Sequence, residues 1–228
     1  MSETWRWLQI PPGKVDDRHN MALDEAILES FIVGACHQTV RPYLWIKPCV
    51  TLGKNQDAEE ARGSYPGSTL IRRPTGGMAV QHGDDLTLSV IASEKGLRDQ
   101  SSKHGILASY YKILSGVLDT IHSYDVPAES GISKYGRRTV DCFKSLGKCD
   151  VVDLRTGQKI VGCAQLRTRG ALLQQMSLRP HERYHIYSPE FLMNLKRNLG
   201  NQLDVGQWED AFASTSTECS RSALLAGS

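Results

Sequence analysis

The most restrictive stretch of this chain is the ten-residue segment at positions 71–80, which reads IRRPTGGMAV. Tandem glycines, Gly76 and Gly77, stand between β-forming stretches, and this pattern predicts a strand, a tight turn and a second strand. Arg72 and Arg73 add two permanent positive charges beside the turn. The combination favours a ligand with negative charge or polarised carbonyl groups. A purely structural turn with solvated arginines is the alternative.

The bulk composition predicts one folded domain without a nucleic-acid or membrane surface. The chain has 228 residues, 40% hydrophobic and 23% charged, with a formal net charge of +2. That charge is too small to indicate a polyanionic partner. No apolar run approaches the roughly 18 residues of a membrane span, and the N-terminus lacks an apolar export segment, so we expect a cytoplasmic protein. Six widely spaced cysteines without a C-x-x-C pair indicate reduced thiols and no structural metal site.

Periodicity predicts two amphipathic helices and several short strands. Apolar residues recur at helical spacing over residues 20–35, where Asn20 is a candidate N-cap, and over residues 101–124. Strands are expected within residues 41–93 and within residues 149–178. Strands and helices in runs, without strict alternation, indicate an α+β fold with a mainly antiparallel sheet.

Two long motifs resemble the lipoyl branch of the lipoate and biotin protein ligase superfamily. Residues 72–89 resemble the first signature of that branch, and residues 157–178, GQKIVGCAQLRTRGALLQQMSL, resemble its second. The resemblance covers roughly residues 15–180. It implies a mixed, mainly antiparallel sheet flanked by helices in a single catalytic domain, similar to class II aminoacyl-tRNA synthetases and biotin ligases. We expect this domain at residues 1–200, followed by a tail, residues 201–228, that is a loose helix or partly disordered.

The resemblance also implies where substrate binds. The turn that contains Gly76 and Gly77, called the glycine loop below, would wrap the carboxyl end of an acyl or lipoyl chain. Lys159 would stabilise the oxyanion formed on the acyl carbonyl. His82 is either a polar orienting group at the pocket floor or a satisfied core histidine. The implied substrate-binding residues are Arg72, Arg73, Thr75, Gly76, Gly77, Met78, Ala79, His82, Gly162 and Ala164.

A cysteine nucleophile is implied by a third, shorter similarity. Octanoyltransferases of the cysteine-loop type carry an ACF-like segment before the signature lysine, and here DCF places Cys142 seventeen residues before Lys159. Cys142 and Lys159 are therefore the predicted catalytic pair, with nearby cations favouring the thiolate. We expect Cys149 to point into the core and Cys163 to serve in packing.

The implied reaction moves an octanoyl or lipoyl group from a carrier-protein thioester to Cys142. A lysine of a lipoyl domain or glycine cleavage H-like protein then accepts the group, and no cofactor is needed. The alternatives are a lipoate-protein ligase that uses ATP and Mg, with an accessory subunit, and a degenerate acyl-binding protein. Met78 replaces the third glycine of the first signature, and Gln175 and Met176 replace His and Gly of the second. These departures leave acyl-chain preference, carrier choice and activity open.

Overall fold

The computed structural model of the protein describes residues 3–11, 15–97, 106–131, 141–144 and 146–212. The described ranges contain eleven strands and five helices, and none of these helices is long and apolar enough to cross a membrane. The strands are β1 (Glu3–Gln9), β2 (Gln38–Leu44), β3 (Cys49–Leu52), β4 (Leu70–Arg72), β5 (Val80–His82), β6 (Leu86–Ser93), β7 (Ala128–Ser130), β8 (Val151–Asp153), β9 (Lys159–Thr168), β10 (Ala171–Leu178) and β11 (Val205–Phe212). The helices are α1 (Asn20–Ile32), α2 (Ala58–Ser64), α3 (Glu94–Leu97), α4 (Ile106–His122) and α5 (Pro189–Gln202).

The eleven strands form two sheets of unequal size. The large sheet has the order β11-β1-β2-β6-β10-β9-β8-β7, and the small sheet has the order β4-β3-β5. From β2 to β7 every pairing in the large sheet is antiparallel, whereas β1 runs parallel to both β2 and β11. The predicted α+β fold with a mainly antiparallel mixed sheet is confirmed.

The large sheet is covered by helices on both faces. Side chains alternate between the faces of a strand, so Leu88 on β6 and Met176 on β10 join the core beneath α4 and α5. On the other face, Ile91 and Leu173 pack against α1. Gly116 allows α4 and α5 to approach closely, since a Cβ atom there would lie 2.8 Å from the Cα of Leu199. The small sheet lies on the same side of the large sheet as α1, next to the glycine loop.

A buried ion pair fixes α1 to the large sheet. The carboxylate of Asp24 accepts a hydrogen bond from Nη1 of Arg41 at 2.7 Å, and both side chains are almost completely buried. The same carboxylate accepts from Ser89 at 2.5 Å, from Tyr43 at 3.1 Å and from Nε2 of Gln175 at 2.7 Å. Because its charge is compensated and its oxygens are filled, Asp24 is tolerated in an apolar layer.

Two predictions at the ends of elements are wrong. Asn20 does not cap α1: it lies within the helix, and its side-chain oxygen accepts from Arg41. The first part of the tail expected at residues 201–228, a loose helix or partly disordered end, is instead a strand, because β11 pairs with β1 along its length. Trp208 anchors this strand with edge contacts to Trp5 and Trp7 at 6.5 and 5.7 Å. Residues 213–228 lie outside the described ranges.

Removing the charge of Asp24 should strongly destabilise the protein. In Asp24→Asn, the Arg41 guanidinium stays buried without its counter-charge, and breaking a buried pair in this way costs about 3–5 kcal/mol. Urea denaturation should show a fall of that size in the free energy of unfolding. Glu29→Gln, which breaks an exposed pair of the same helix with Arg169, should change stability by less than about 1 kcal/mol. Equal losses in the two variants would contradict a special role for Asp24.

Candidate active site

A cavity opens between the large and small sheets. Its surface is predominantly apolar, and its walls come from α1, β3, β5, β6, β9, β10 and the glycine loop. Six of the predicted site residues line it: Arg73, Gly77, His82, Cys142, Gly162 and Ala164. An apolar cavity with a few convergent polar groups is the usual form of a small-molecule site.

Small residues on β9 and β10 make room for this cavity. Gly162 lies opposite Ser177, and Ala164 lies opposite Gln175, on the face that meets the small sheet. Between these pairs, Cys163 lies opposite Met176, and both pack into the core beneath α4 and α5. The expected packing role of Cys163 therefore agrees with its surroundings, and its thiol faces away from Cys142 by strand alternation.

Cys142 begins a short 3₁₀ turn beside the glycine loop. Its backbone N–H donates to the carbonyl oxygen of Ala79 at 2.8 Å. The ammonium of Lys159 lies 3.2 Å from its Sγ and 2.9 Å from its carbonyl oxygen. Gly162 leaves room for this contact, because a Cβ there would lie 3.1 Å from Cε of Lys159 and 3.6 Å from the Cys142 sulfur. The predicted catalytic pair is in direct contact.

Asp150 completes a charged cluster around Lys159. Its Oδ2 lies 2.7 Å from Nζ of Lys159, and both side chains are buried. Burial by itself lowers the pKa of Lys159, but the negative charges of Cys142 and Asp150 outweigh it, so the net shift is upward. The ammonium therefore stays protonated at neutral pH, 3.2 Å from the Cys142 sulfur. Asp150 was not predicted, since nothing in the sequence distinguishes it from other acids beside strands.

Arg73 holds the glycine loop in place through hydrogen bonds to its carbonyl oxygens. Its Nε and Nη2 donate to the carbonyl of Gly76 at 3.2 and 2.7 Å, and Nη2 also donates to the carbonyl of Met78 at 2.7 Å. Its Nη1 donates to the carbonyl and hydroxyl oxygens of Thr51 at 3.1 and 3.2 Å. Gly77 has a φ of 90°, and a Cβ there would lie 3.0 Å from Nη2 of Arg73. All five donors of Arg73 are thus used by the protein.

The remaining predicted residues support the loop and do not line the cavity. Arg72 points the opposite way from Arg73 and donates to the carbonyl oxygens of Gly53, Lys54 and Gln56, each at 3.0 Å. Thr75 is buried and donates to Oε1 of Gln175 at 2.7 Å. Adjacent residues of a strand face opposite sides, which explains why the two arginines have different surroundings. Gly76, Met78 and Ala79 contribute mainly through their backbone carbonyls.

His82 lies at another wall of the cavity and has both ring nitrogens engaged. One nitrogen is 2.8 Å from Oγ1 of Thr51, and the other is 2.8 Å from Oδ2 of Asp85. Its ring stacks on Trp45, with centroids 4.1 Å apart. Burial raises the pKa of Asp85, but the hydrogen bonds from His82 and Ser177 outweigh it and lower that pKa. His82 is therefore both a pocket wall and a satisfied buried histidine, so the two alternatives are compatible.

Known proteins with similar sequences point to one family. The model for the lipoyl protein ligase A/B catalytic domain matches residues 16–180. Octanoyltransferase LipM of Oceanobacillus iheyensis is 35% identical over 184 residues, covering 78% of this chain and 64% of that protein. Octanoyltransferase LipM of Moorella thermoacetica is 34% identical over 185 residues, covering 78% of this chain and 65% of that protein. The chain spans just under two thirds of the length of these curated relatives.

Solved structures share the fold. Protein Ta0514 of T. acidophilum, determined with bound lipoic acid, superposes with a TM-score of 0.70 at 23% identity and covers 98% of this chain and 95% of that chain. Lipoate-protein ligase A bound with ATP superposes with a TM-score of 0.69 at 23% identity and covers 99% of this chain and 95% of that chain. A bi-partite lipoate protein ligase with its E2 lipoyl domain from Thermoplasma acidophilum superposes with a TM-score of 0.69 at 23% identity. It covers 100% of this chain and 93% of that chain.

The fold is thus that of the lipoate-protein ligases. With the matched family model, this means that the chain belongs to the lipoyl protein ligase A/B catalytic domain family. The resemblance of its two motifs to the lipoyl branch is confirmed.

Neutralising Lys159 should make Cys142 less reactive. Lys159→Met removes the ammonium beside the sulfur, and a loss of about 1.4 kcal/mol of charge stabilisation corresponds to an about tenfold slower reaction of the sulfur. We expect alkylation of Cys142 by iodoacetamide at pH 7, followed by peptide mass spectrometry, to slow by about that factor. Because the pKa of Lys159 is raised above 10.5, the wild-type advantage should persist up to about pH 9.

Lys112→Met is the matched control, since Lys112 pairs with the exposed Asp204. It should leave the alkylation rate of Cys142 unchanged. An unchanged rate in Lys159→Met as well would show that the ammonium does not activate the thiol.

Proposed function

We propose that the protein transfers an octanoyl or lipoyl group from a carrier-protein thioester to a protein lysine, through a thioester on Cys142. The acceptor lysine belongs to a lipoyl domain or a glycine cleavage H-like protein. The observation that carries this proposal is the 3.2 Å contact between Nζ of Lys159 and Sγ of Cys142 at the wall of an apolar cavity. Identity of 35% and 34% to two octanoyltransferases supports the same chemistry.

In the first half-reaction, the Cys142 thiolate attacks the carbonyl carbon of the acyl-carrier thioester. The negative charge moves to the carbonyl oxygen, where the Lys159 ammonium and the N–H groups of the glycine loop stabilise it. Collapse of this intermediate breaks the bond to the carrier sulfur, which leaves as a thiolate and takes a proton from solvent. One thioester replaces another, so the exchange is nearly neutral in free energy and needs no ATP.

In the second half-reaction, the neutral amine of the acceptor lysine attacks the Cys142 thioester. The C–S bond breaks, an amide forms, the amine gives up one proton, and the Cys142 thiolate is regenerated. An amide is more stable than a thioester, which makes the overall transfer favourable. Lys159 again compensates the oxyanion and then the released thiolate, so the same buried charge serves both steps.

The apolar cavity suits the hydrocarbon part of the acyl group. The small size of Gly162 and Ala164 leaves space for the chain at one wall of the cavity. Val80 and Met21 add apolar surface. Burial of each methylene contributes about 0.8 kcal/mol, so an eight-carbon chain provides substantial binding energy. The partner classes follow from the reaction: an acyl-carrier protein as donor and a lipoyl-bearing protein as acceptor. The similar ligase from Thermoplasma acidophilum was solved together with its E2 lipoyl domain, which supports an acceptor of this class.

The ligase alternative uses ATP and Mg to make an acyl-adenylate and requires no nucleophilic thiol. The Lys159, Asp150 and Cys142 cluster favours the transferase, because its buried charges are arranged around a sulfur atom. A direct test separates the two reactions through their different requirements for ATP.

Intact-protein mass spectrometry should detect the acyl-enzyme. The purified protein, mixed with octanoyl-acyl carrier protein without ATP, should gain one octanoyl group that hydroxylamine removes. Cys142→Ser should reduce the rate of labelling by roughly a thousandfold or more, as expected for loss of a nucleophile. A parallel reaction contains ATP, Mg and free octanoate in place of the carrier.

Cys163→Ser is the control for this experiment, because Cys163 packs on the opposite face of the sheet. It should label at close to the wild-type rate. Labelling that survives in Cys142→Ser would overturn the assignment of the nucleophile. Pyrophosphate release in the ATP reaction, with no adduct from the carrier, would support the ligase; no reaction under either condition would support a degenerate acyl-binding protein.

A further inference from the structure

His82 separates the acyl cavity from a second depression on the protein surface. The imidazole lines the inner cavity together with Val80 and Thr87. It also lines an outer groove together with Pro48 and Gln81. The wall between the two spaces therefore includes this one side chain, which is only 8% exposed.

The position of His82 along β5 places it away from the reacting sulfur. The carbonyl of Ala79 accepts the backbone N–H of Cys142, and this fixes the Cys142 turn at the start of β5. His82 lies three residues further along the chain, which is about 10 Å in extended backbone. Val80 and His82 point to the same side of the strand and both line the cavity. An acyl chain held on Cys142 can therefore extend along β5 towards the imidazole.

The side chain is held too firmly to move aside easily. Trp45 covers one face of the ring, and Nε1 of that tryptophan donates to Oγ1 of Thr87 at 2.8 Å, which fixes the indole as well. Thr51 and Asp85 occupy the two ring nitrogens. The ring therefore presents carbon atoms to the cavity, and displacing it would leave the buried Asp85 carboxylate without this partner, at a cost typical of unsatisfied buried polar groups.

We propose that His82 sets the upper limit on acyl-chain length, by closing the cavity at the end opposite Cys142. The inference rests on the proposed function, and it specifies the substrate as a medium-chain acyl group that ends before the imidazole. Removing the ring joins the inner cavity to the outer groove and gives longer chains an exit beside Pro48 and Gln81.

The test is a competition among acyl-carrier proteins loaded with chains of six, eight, ten, twelve and fourteen carbons. Acyl adducts are resolved by intact-protein mass spectrometry on wild type, His82→Ala, His82→Asn and His82→Phe. In the alanine variant, the ratio of twelve-carbon to eight-carbon adduct should rise at least tenfold. His82→Asn retains a polar group to face Asp85, so it replaces the alanine variant if that variant is unstable. Its ratio of twelve-carbon to eight-carbon adduct should also rise. His82→Phe refills the wall and should keep the wild-type profile.

Binding of free fatty acids provides a readout that does not depend on acyl transfer. Calorimetry should show tighter binding of dodecanoic acid by His82→Ala than by wild type, again by about tenfold. Gln81→Ala, on the groove side of the wall, should leave both profiles unchanged, because the wild-type chain does not reach that groove. An unchanged length profile in a folded His82→Ala or His82→Asn would overturn the proposal. Absence of any adduct on wild type would instead count against the proposed transferase.

Discussion

The candidate site depends on the burial of one positive charge, the guanidinium of Arg73. Burial lowers the pKa of Arg73 to about 10, and the negative charge of Cys142 acts in the opposite direction. Among the described residues, no carboxylate forms an ion pair with this guanidinium. Its five hydrogen bonds go to loop carbonyls and to Thr51. Backbone dipoles therefore solvate the cation, and in doing so they fix the glycine loop. The loop that Arg73 fixes lies beside the Cys142 turn, whose sulfur is in contact with a second buried cation, Lys159.

A second buried network connects that loop to the rest of the fold. Gln175 accepts a hydrogen bond from Thr75 in the loop and donates another to Asp24 on α1. Asp24 is in turn paired with Arg41 on β2. The amide at position 175 stands where the lipoyl signature has a histidine. Like a neutral imidazole, an amide offers one acceptor and at least one donor, so this departure from the signature preserves the link.

The sequence predicted the fold more fully than the surroundings of individual charges. Long motifs and hydrophobic periodicity located the sheet strands, and the predicted pair, Cys142 and Lys159, lies in contact. What the sequence did not reveal are contacts set by three-dimensional packing. Arg72 and Arg73 are neighbours in the chain, but strand alternation places them on opposite sides. Asp150 approaches Lys159 because β8 and β9 pair, and β11 forms because it pairs with β1, where Trp208 meets two distant tryptophans. Composition carries no information about such pairings.

The same alternation explains how the other departures from the signatures are accommodated. Met176 stands where the second signature has glycine; it packs into the core beneath α4 and α5 and also lines the cavity. Met78 stands where the first signature has a third glycine. It is not among the described residues with positive φ, so its backbone has a conformation open to any residue, unlike Gly77. Met78 contributes its carbonyl oxygen to Arg73, and a residue of any type carries the same backbone acceptor. The loop glycine that backbone geometry requires, Gly77 with its φ of 90°, is retained in the chain.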